Sequence, residues 1–340
     1  MKKKLVLAMA ATMAITSCAV PVLADDAAAE GGKIGISMPT QSLERWNRDG
    51  SYLEEQFKAA GYDVELTYSD NETDRQVNDI QNLISDGVNL LVVAAIDGEA
   101  LNTVMDEAAD AGIPVIIVDR MVDVSDDSLY TAWVGSNFKL EGQKACAWLK
   151  AYQAAKKIDK INIVDIQGTI GASAQIGRTE ALNEAVKANG WNLLAQQTGE
   201  FTQAKGQEVM ESMLKQYKDI NVVYCENDNE AFGAIDAIEA AGKTVGPDGD
   251  ILVMSFDTTK AGITDTQSGK IILNTECNPL HGPRVEEIIK TLESGGTPEK
   301  KAYVEEGVFA HGDEVPSVTV DDQKYDVTKV TKEVVAGRAY

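Results

Sequence analysis

The chain has 340 residues, more than one core usually holds, so two domains are expected. Its composition, 44% hydrophobic and 25% charged, is that of a globular protein and argues against global disorder. With 31 Lys+Arg against 54 Asp+Glu, the formal charge of −23 repels phosphate backbones and anionic membrane surfaces, so no nucleic-acid partner is expected. The two histidines, His281 and His311, argue against a multi-histidine centre, and neither metal nor cofactor is expected.

The N-terminus reads as an export signal. Lys2, Lys3 and Lys4 precede an apolar run at 5–15 that is too short to span a bilayer. Val22-Leu23-Ala24 is a cleavage site that makes 1–24 the signal peptide and Asp25 the first mature residue. Ile15-Thr16-Ser17-Cys18 also resembles a lipobox, with Cys18 as the lipidated residue. Either reading exports the chain, to the periplasm or to the outer face of the cytoplasmic membrane. Residues 25–32 are a small, polar spacer.

From Lys33 onward, apolar runs alternate with amphipathic segments. Strands are expected at 33–38, 64–69, 90–95 and 114–119, with helices at 43–60, 73–86 and 98–111 between them. Val77, Ile80, Leu83 and Ile84 show the helical spacing in the second of these. The alternation resumes with helix 139–156, strand 161–166, helix 172–189, strand 192–197, helix 203–217, strand 221–225 and helix 229–241. Strands 251–256 and 271–275, helix 282–294 and a strand near 302–310 follow. The polar stretch from 313 is expected to pack around the outside. Gly61, Gly87, Gly112, Gly190 and Gly242 each end a helical pattern shortly before a strand, the place of a left-handed C′ residue. Near-continuous Val/Ile/Leu strands fit parallel sheets covered on both faces. The fold class is α/β, with two similar three-layer Rossmann-like domains.

Cys146, Cys225 and Cys277 form no CxxC pair and read as buried thiols, with a Cys225–Cys277 disulfide as the alternative in an exported chain.

Ligands of open parallel sheets bind beyond the carboxyl ends of the strands. Those ends carry Glu44, Arg45 and Trp46, then Asp119 and Arg120, then Arg178, Phe201, Asn227, Asp257 and Glu276. Carboxylates and amides accept from hydroxyls, guanidinium donates, and an aromatic face covers the C–H face of a sugar ring, so the set suits a neutral polyol. Plainer uses exist: Asp119-Arg120 as a local ion pair, Asn227 or Asp257 as helix caps, Trp46 as a core aromatic. All of them nevertheless fall on one edge of the expected sheets. No Walker loop, HExxH or GxSxG is present, and Gly168-Thr169-Ile170-Gly171 lacks the lysine of a phosphate loop.

These residues carry a resemblance. IQGTIGASAQIGR (166–178), TGEFTQAKGQEVMES (198–212), ENDNEAFGAIDAIEAAG (226–242) and VIIVDRMVDV (115–124) resemble the type I periplasmic sugar-binding proteins of the ribose/galactose type, above all their galactofuranose branch. These are substrate receptors of ABC importers. IGISMPTQSLERWNRDG (34–50) looks more like the multiple-sugar and xylose branch, whose Arg-Trp order stands here at Arg45-Trp46. The resemblance implies that Asp119 and Arg120 grip ring hydroxyls and Arg178 donates from the second domain. It also implies that Asn227 and Asp257 complete that wall, Phe201 lies near the ring, and Glu44, Arg45 and Trp46 form the first-loop wall. Glu276 would add a contact near the hinge.

It further implies a three-segment hinge, with crossings near 133–137, 276–279 and 305–308. The lobes would be 33–134 plus 278–306 and 135–277 plus 307–340. A monosaccharide would bridge them and favour closure, and ABC permease subunits would recognise the closed monomer. A chemoreceptor or sensor kinase is an alternative partner. A LacI-type effector domain shares the fold but would need a DNA-binding segment and a cytoplasmic address. An exported glycosidase using Asp119 and Asp257 is the enzymatic rival, but nothing marks either as a raised-pKa acid.

Overall fold

The computed structural model describes residues 32–124 and 126–340. The export signal, Cys18 and the spacer as far as residue 31 lie outside the described residues, as does the side chain of Glu44. Among the described residues, no helix is long and apolar enough to cross a membrane.

The first sheet contains β1 (Lys33–Met38), β2 (Asp63–Tyr68), β3 (Leu90–Val93), β4 (Val115–Val118), β5 (Ala132–Gly135) and β11 (Lys301–Tyr303). Its order is β11-β5-β4-β3-β1-β2, parallel throughout. Helices α1 (Glu44–Ala59), α2 (Thr73–Ser85), α3 (Asn102–Asp110) and α9 (Gly282–Glu293) belong to this lobe. The second sheet contains β6 (Asn162–Gln167), β7 (Asn192–Thr198), β8 (Val222–Cys225), β9 (Leu252–Asp257), β10 (Leu273–Glu276), β12 (Val308–Ala310), β13 (Ser317–Val320) and β14 (Gln323–Lys329). Its order is β13-β14-β12-β10-β9-β8-β6-β7. Helices α4 (Phe138–Lys156), α5 (Ser173–Asn189), α6 (Gln203–Gln216), α7 (Asp228–Ala240), α8 (Lys260–Ser268) and α10 (Lys332–Gly337) accompany it. Each sheet places its first strand between its second and third, so both lobes have their topological switch point beside that strand.

The apolar runs explain the layers. β3 (LLVV) and β4 (VIIV) are buried along their whole length, as strands covered on both faces must be. The five stop glycines all carry positive φ, from 66° to 94°, which costs glycine least. The threonine caps at Thr202 and Thr259 accept from the N–H of Lys205 and Gly262 and start α6 and α8.

Three segments cross between the sheets: β5 to α4, β10 to α9, and β11 to β12. Glu306, on the third, fastens all of them. Its Oε1 accepts from the Ser136 hydroxyl on the first and from the Asn278 N–H at 2.9 Å on the second. One apolar cluster runs from Ile36, Leu43 and Trp46 in the first lobe to Ala174 and Phe201 in the second, so the lobes are closed on each other.

Several elements depart from the sequence-based expectation. The strand near 302–310 is two strands in different sheets. β5 and α8 were not expected, because Ala132–Gly135 is only four residues long and Lys260–Ser268 shows little apolar periodicity. The stretch after 313 does not merely wrap the outside: β13 and β14 extend the second sheet and bury Val315, Val318 and Val320. Cys146, Cys225 and Cys277 are free, buried thiols, so Cys225 and Cys277 are not bridged.

Candidate functional site

Charged side chains from both lobes converge where the lobes meet. Leu43, Arg45, Trp46, Asp119 and Arg120 line one wall of a cleft, and Ala174, Arg178, Phe201, Asn227, Asn229 and Asp257 line the other. Each comes from the carboxyl end of a strand or the first turns of the following helix. Asp119 (φ 58°), Phe201 (φ 60°) and Asp257 (φ 90°) are all left-handed non-glycine residues. Such strain costs about 1–3 kcal/mol per residue and persists only where the surroundings enforce it, as at functional sites.

The ion pairs are buried, and one of them, Arg45 with Asp257, spans the cleft. Arg45 donates to Asp119 through Nη2, and its Nη1 lies 3.6 Å from Asp257 of the opposite lobe. Its Nη1 also faces the Cys277 sulfur at 2.5 Å, and its Nε lies 3.5 Å from Asp49. Burial alone would raise the Asp119 carboxyl, but Arg45, with His281, Arg120 and Arg178, holds it below the ordinary carboxylate range. Asp49 behaves oppositely: burial outweighs Arg45 and pushes its carboxyl well up. Arg178 donates from Nε to Glu141 at 2.8 Å and from Nη1 to the Glu226 carbonyl, and its Nη2 stands 3.4 Å from Asp257.

Arg120 is different. It is 3% exposed, and its Nη1 has no hydrogen-bond partner. Its guanidinium is stacked between Trp46 of its own lobe and Phe201 of the other, 4.9 Å from each ring centroid. Burial pushes its pKa down to about 10. It is a cation held between two aromatic faces on the wall of the cleft.

The remaining expected residues divide. Trp46 serves two purposes, packing in the apolar cluster and carrying Arg45 and Arg120 over its ring. Asn227 lines the cleft, but its amide is engaged: Oδ1 accepts from the Glu230 N–H at 2.8 Å and caps α7, and Nδ2 donates to the Phe201 carbonyl at 3.1 Å. Glu276 is not among the residues that line the cleft. Its carboxylate accepts from Arg338, from the Tyr340 hydroxyl and from the Gly307 N–H. Both of its oxygens are used at the hinge, as a residue at the end of β10 on a crossing segment readily is. Glu44 opens α1, and its side chain is not described. Sequence reasoning missed Asn229, although it continues the Asn227-Asp228-Asn229 run. It also missed the supporting carboxylates Asp49 and Glu141, whose only signal was the i, i+4 spacing of Arg45 and Asp49.

Gly168 supports the aromatic wall. A Cβ placed there would lie 1.9 Å from the Phe201 ring. Gly168→Ala is therefore expected to push Phe201 off Arg120 and weaken ligand binding about tenfold, from the loss of about 1 kcal/mol of cation–π attraction and of preorganisation. Titration calorimetry of this variant against the wild type checks it.

Behind the cleft, Asp228 accepts from Ser255, Thr259 and Asn274, yet burial pushes its carboxyl up to about 7. Burial does the same to Asp165. A carboxyl whose folded pKa exceeds its unfolded value binds protons more tightly when folded, so stability rises as pH falls through the folded pKa. His281, buried and lowered to about 4, opposes this once pH falls below about 6.5. The melting temperature is therefore expected to rise between pH 8 and pH 6.5 at fixed ionic strength. Scanning calorimetry showing a fall over that interval would contradict it.

The family of the Periplasmic binding protein domain matches residues 34–273. The chain belongs to this family. Among its relatives, the galactofuranose-binding protein YtfQ of Escherichia coli K12 is 34% identical over 245 residues, 71% of this chain and 76% of that one. The ribose import binding protein RbsB of Salmonella typhimurium is 31% identical over 211 residues, 62% of this chain and 67% of that one. Among solved structures, one from Mycobacterium smegmatis in complex with beta-D-fucofuranose superposes on this chain with a TM-score of 0.78 and 31% identity, covering 83% of this chain and 92% of that one. The binding protein of the Shewanella sp. ANA-3 arabinose ABC transporter, bound to alpha and beta-L-arabinofuranose, gives 0.77 and 29%, covering 83% and 93%.

Proposed function

We propose that this chain is the exported receptor of an ABC sugar importer and captures a monosaccharide between its lobes. The supporting observation is the buried guanidinium of Arg120, stacked across the lobe boundary with an unpaired donor. A hydroxylated ring supplies the acceptors that this donor lacks. Asp119 and Asp257 accept from sugar hydroxyls, Arg178 holds the Asp257 wall from behind, Arg120 donates, and Trp46 and Phe201 cover the C–H face. The furanose ligands of the related structures favour an aldose in its furanose form, such as galactofuranose or arabinofuranose.

Mechanism follows from volume and charge. The free space of the closed cleft is about 20 Å³, room for one water but not for a sugar ring. Entry therefore requires the lobes to part about the three crossings and Arg45 and Arg120 to re-aim. A ligand that contacts both walls binds the closed state better than the open one and shifts the population towards it. Permease subunits then read the closed shape of a monomer. Binding without turnover is supported by Asp119: a glycosidase acid needs a raised pKa, and Arg45 helps hold this carboxyl low.

A thermal-shift screen of ligand-stripped protein tests the reading. The panel is galactose, arabinose, ribose, xylose, glucose and a fixed galactofuranoside. A saturable rise in melting temperature with at least one of them, without turnover, is expected. No response to any would remove the sugar reading.

A further inference from the structure

The structure assigns Arg338 and Tyr340 as positioning residues for ligand capture: they fasten the turn that carries Asp257 to Glu276 at the hinge and hold the Ala339 carbonyl between them against the opposite lobe. This rests on the cleft being the ligand site. The turn after β9 is strained, with Asp257 and Thr258 both at positive φ (90° and 56°), and it must be held from outside. Three groups hold it. Asn274 accepts from the Thr258 N–H at 3.1 Å, and Asp228 accepts from the Thr259 N–H at 2.8 Å. The third is Arg338, whose Nε donates to the Thr258 carbonyl at 2.7 Å.

All three holders belong to the second lobe, but Arg338 alone also reaches the head of the second crossing. Its Nη1 donates to Glu276 on the second crossing at 2.6 Å, and Tyr340 donates to the same oxygen. Glu276 accepts in turn from the Gly307 N–H on the third crossing. The guanidinium is stacked on Tyr340, 4.0 Å from its centroid, which fixes its direction. Between these two residues, the Ala339 carbonyl accepts from Arg48 of the first lobe at 3.3 Å, one turn along α1 from Arg45. Residues 338–340 thus touch the Asp257 turn, Glu276 at the head of the second crossing and, through the Ala339 carbonyl, the ligand-facing helix of the other lobe, while the third crossing is tied in only through Glu276. A segment so placed favours the arrangement in which Asp257 faces Arg45, the closed one.

The test uses the full mature chain and the sugar found to bind the wild type. Arg338→Ala and Tyr340→Phe are compared with wild type in stopped-flow binding and in ligand-free melting. A charged hydrogen bond contributes enough to change affinity about tenfold or more, so Arg338→Ala is expected to raise Kd by about that factor through faster dissociation. Tyr340→Phe, which removes one hydroxyl, is expected to raise it about threefold with an unchanged ligand-free melting temperature. A purely structural role would lower melting temperature and leave both rate constants of the folded protein unchanged. Kd within twofold of wild type for Arg338→Ala, or for Tyr340→Phe should Arg338→Ala not fold, would overturn the assignment. A wild type that binds no sugar would instead overturn the reading of the cleft.

Discussion

Arg178→Met is expected to lower the ligand-free melting temperature by about 10 °C, the equivalent of about 3–5 kcal/mol. Arg178 is 1% exposed and holds Glu141, itself fully buried, at 2.8 Å. Glu141 Oε1 already has no partner. Removing the guanidinium leaves a buried carboxyl with nothing to offset its desolvation, and it also frees the Glu226 carbonyl. Arg178→Met/Glu141→Leu should recover part of the loss, because two apolar groups replace a buried pair at little cost. Thermal melts of the single and double variants check this, and a single-variant shift below about 2 °C would contradict it.

Arg120→Met should give the opposite pattern. Sugar affinity is expected to fall about thirtyfold or more, since two charged hydrogen bonds contribute at least about 2 kcal/mol. Ligand-free stability should barely change. Arg120 has an unpaired donor, and the burial that lowers its pKa to about 10 opposes its two cation–π contacts. Titration calorimetry paired with melting curves distinguishes the two arginines. An unchanged affinity would take Arg120 out of the site.

The contrast between Arg120 and Arg178 was not legible in the sequence. Both stand beyond strand ends, where chemistry is expected, and by position alone both suit a donor to a sugar. What separates them is Glu141, which lies on α4 and reaches Arg178 only when α4 packs on α5. Long-range pairing of this kind leaves no local signal. Asp119 and Asp257 were legible because each directly follows an apolar run, and the end of a parallel strand is a position the topology itself exposes. Glu276 satisfied the same rule and still belongs elsewhere, because β10 leads into a hinge crossing and its carboxylate is engaged by residues 60 positions away and more. The two-lobe α/β architecture was legible from strand–helix alternation and stop glycines. The added strands β13 and β14 were not, because β13 is four residues long and β14 is polar and buries no residue fully.

The most direct measurement is small-angle X-ray scattering from ligand-stripped protein before and after saturation with the sugar found to bind. Capture between two lobes predicts a smaller radius of gyration with sugar, and a ligand-free ensemble more open than the closed arrangement described above. The same radius in both states, with sugar bound, would contradict capture by closure.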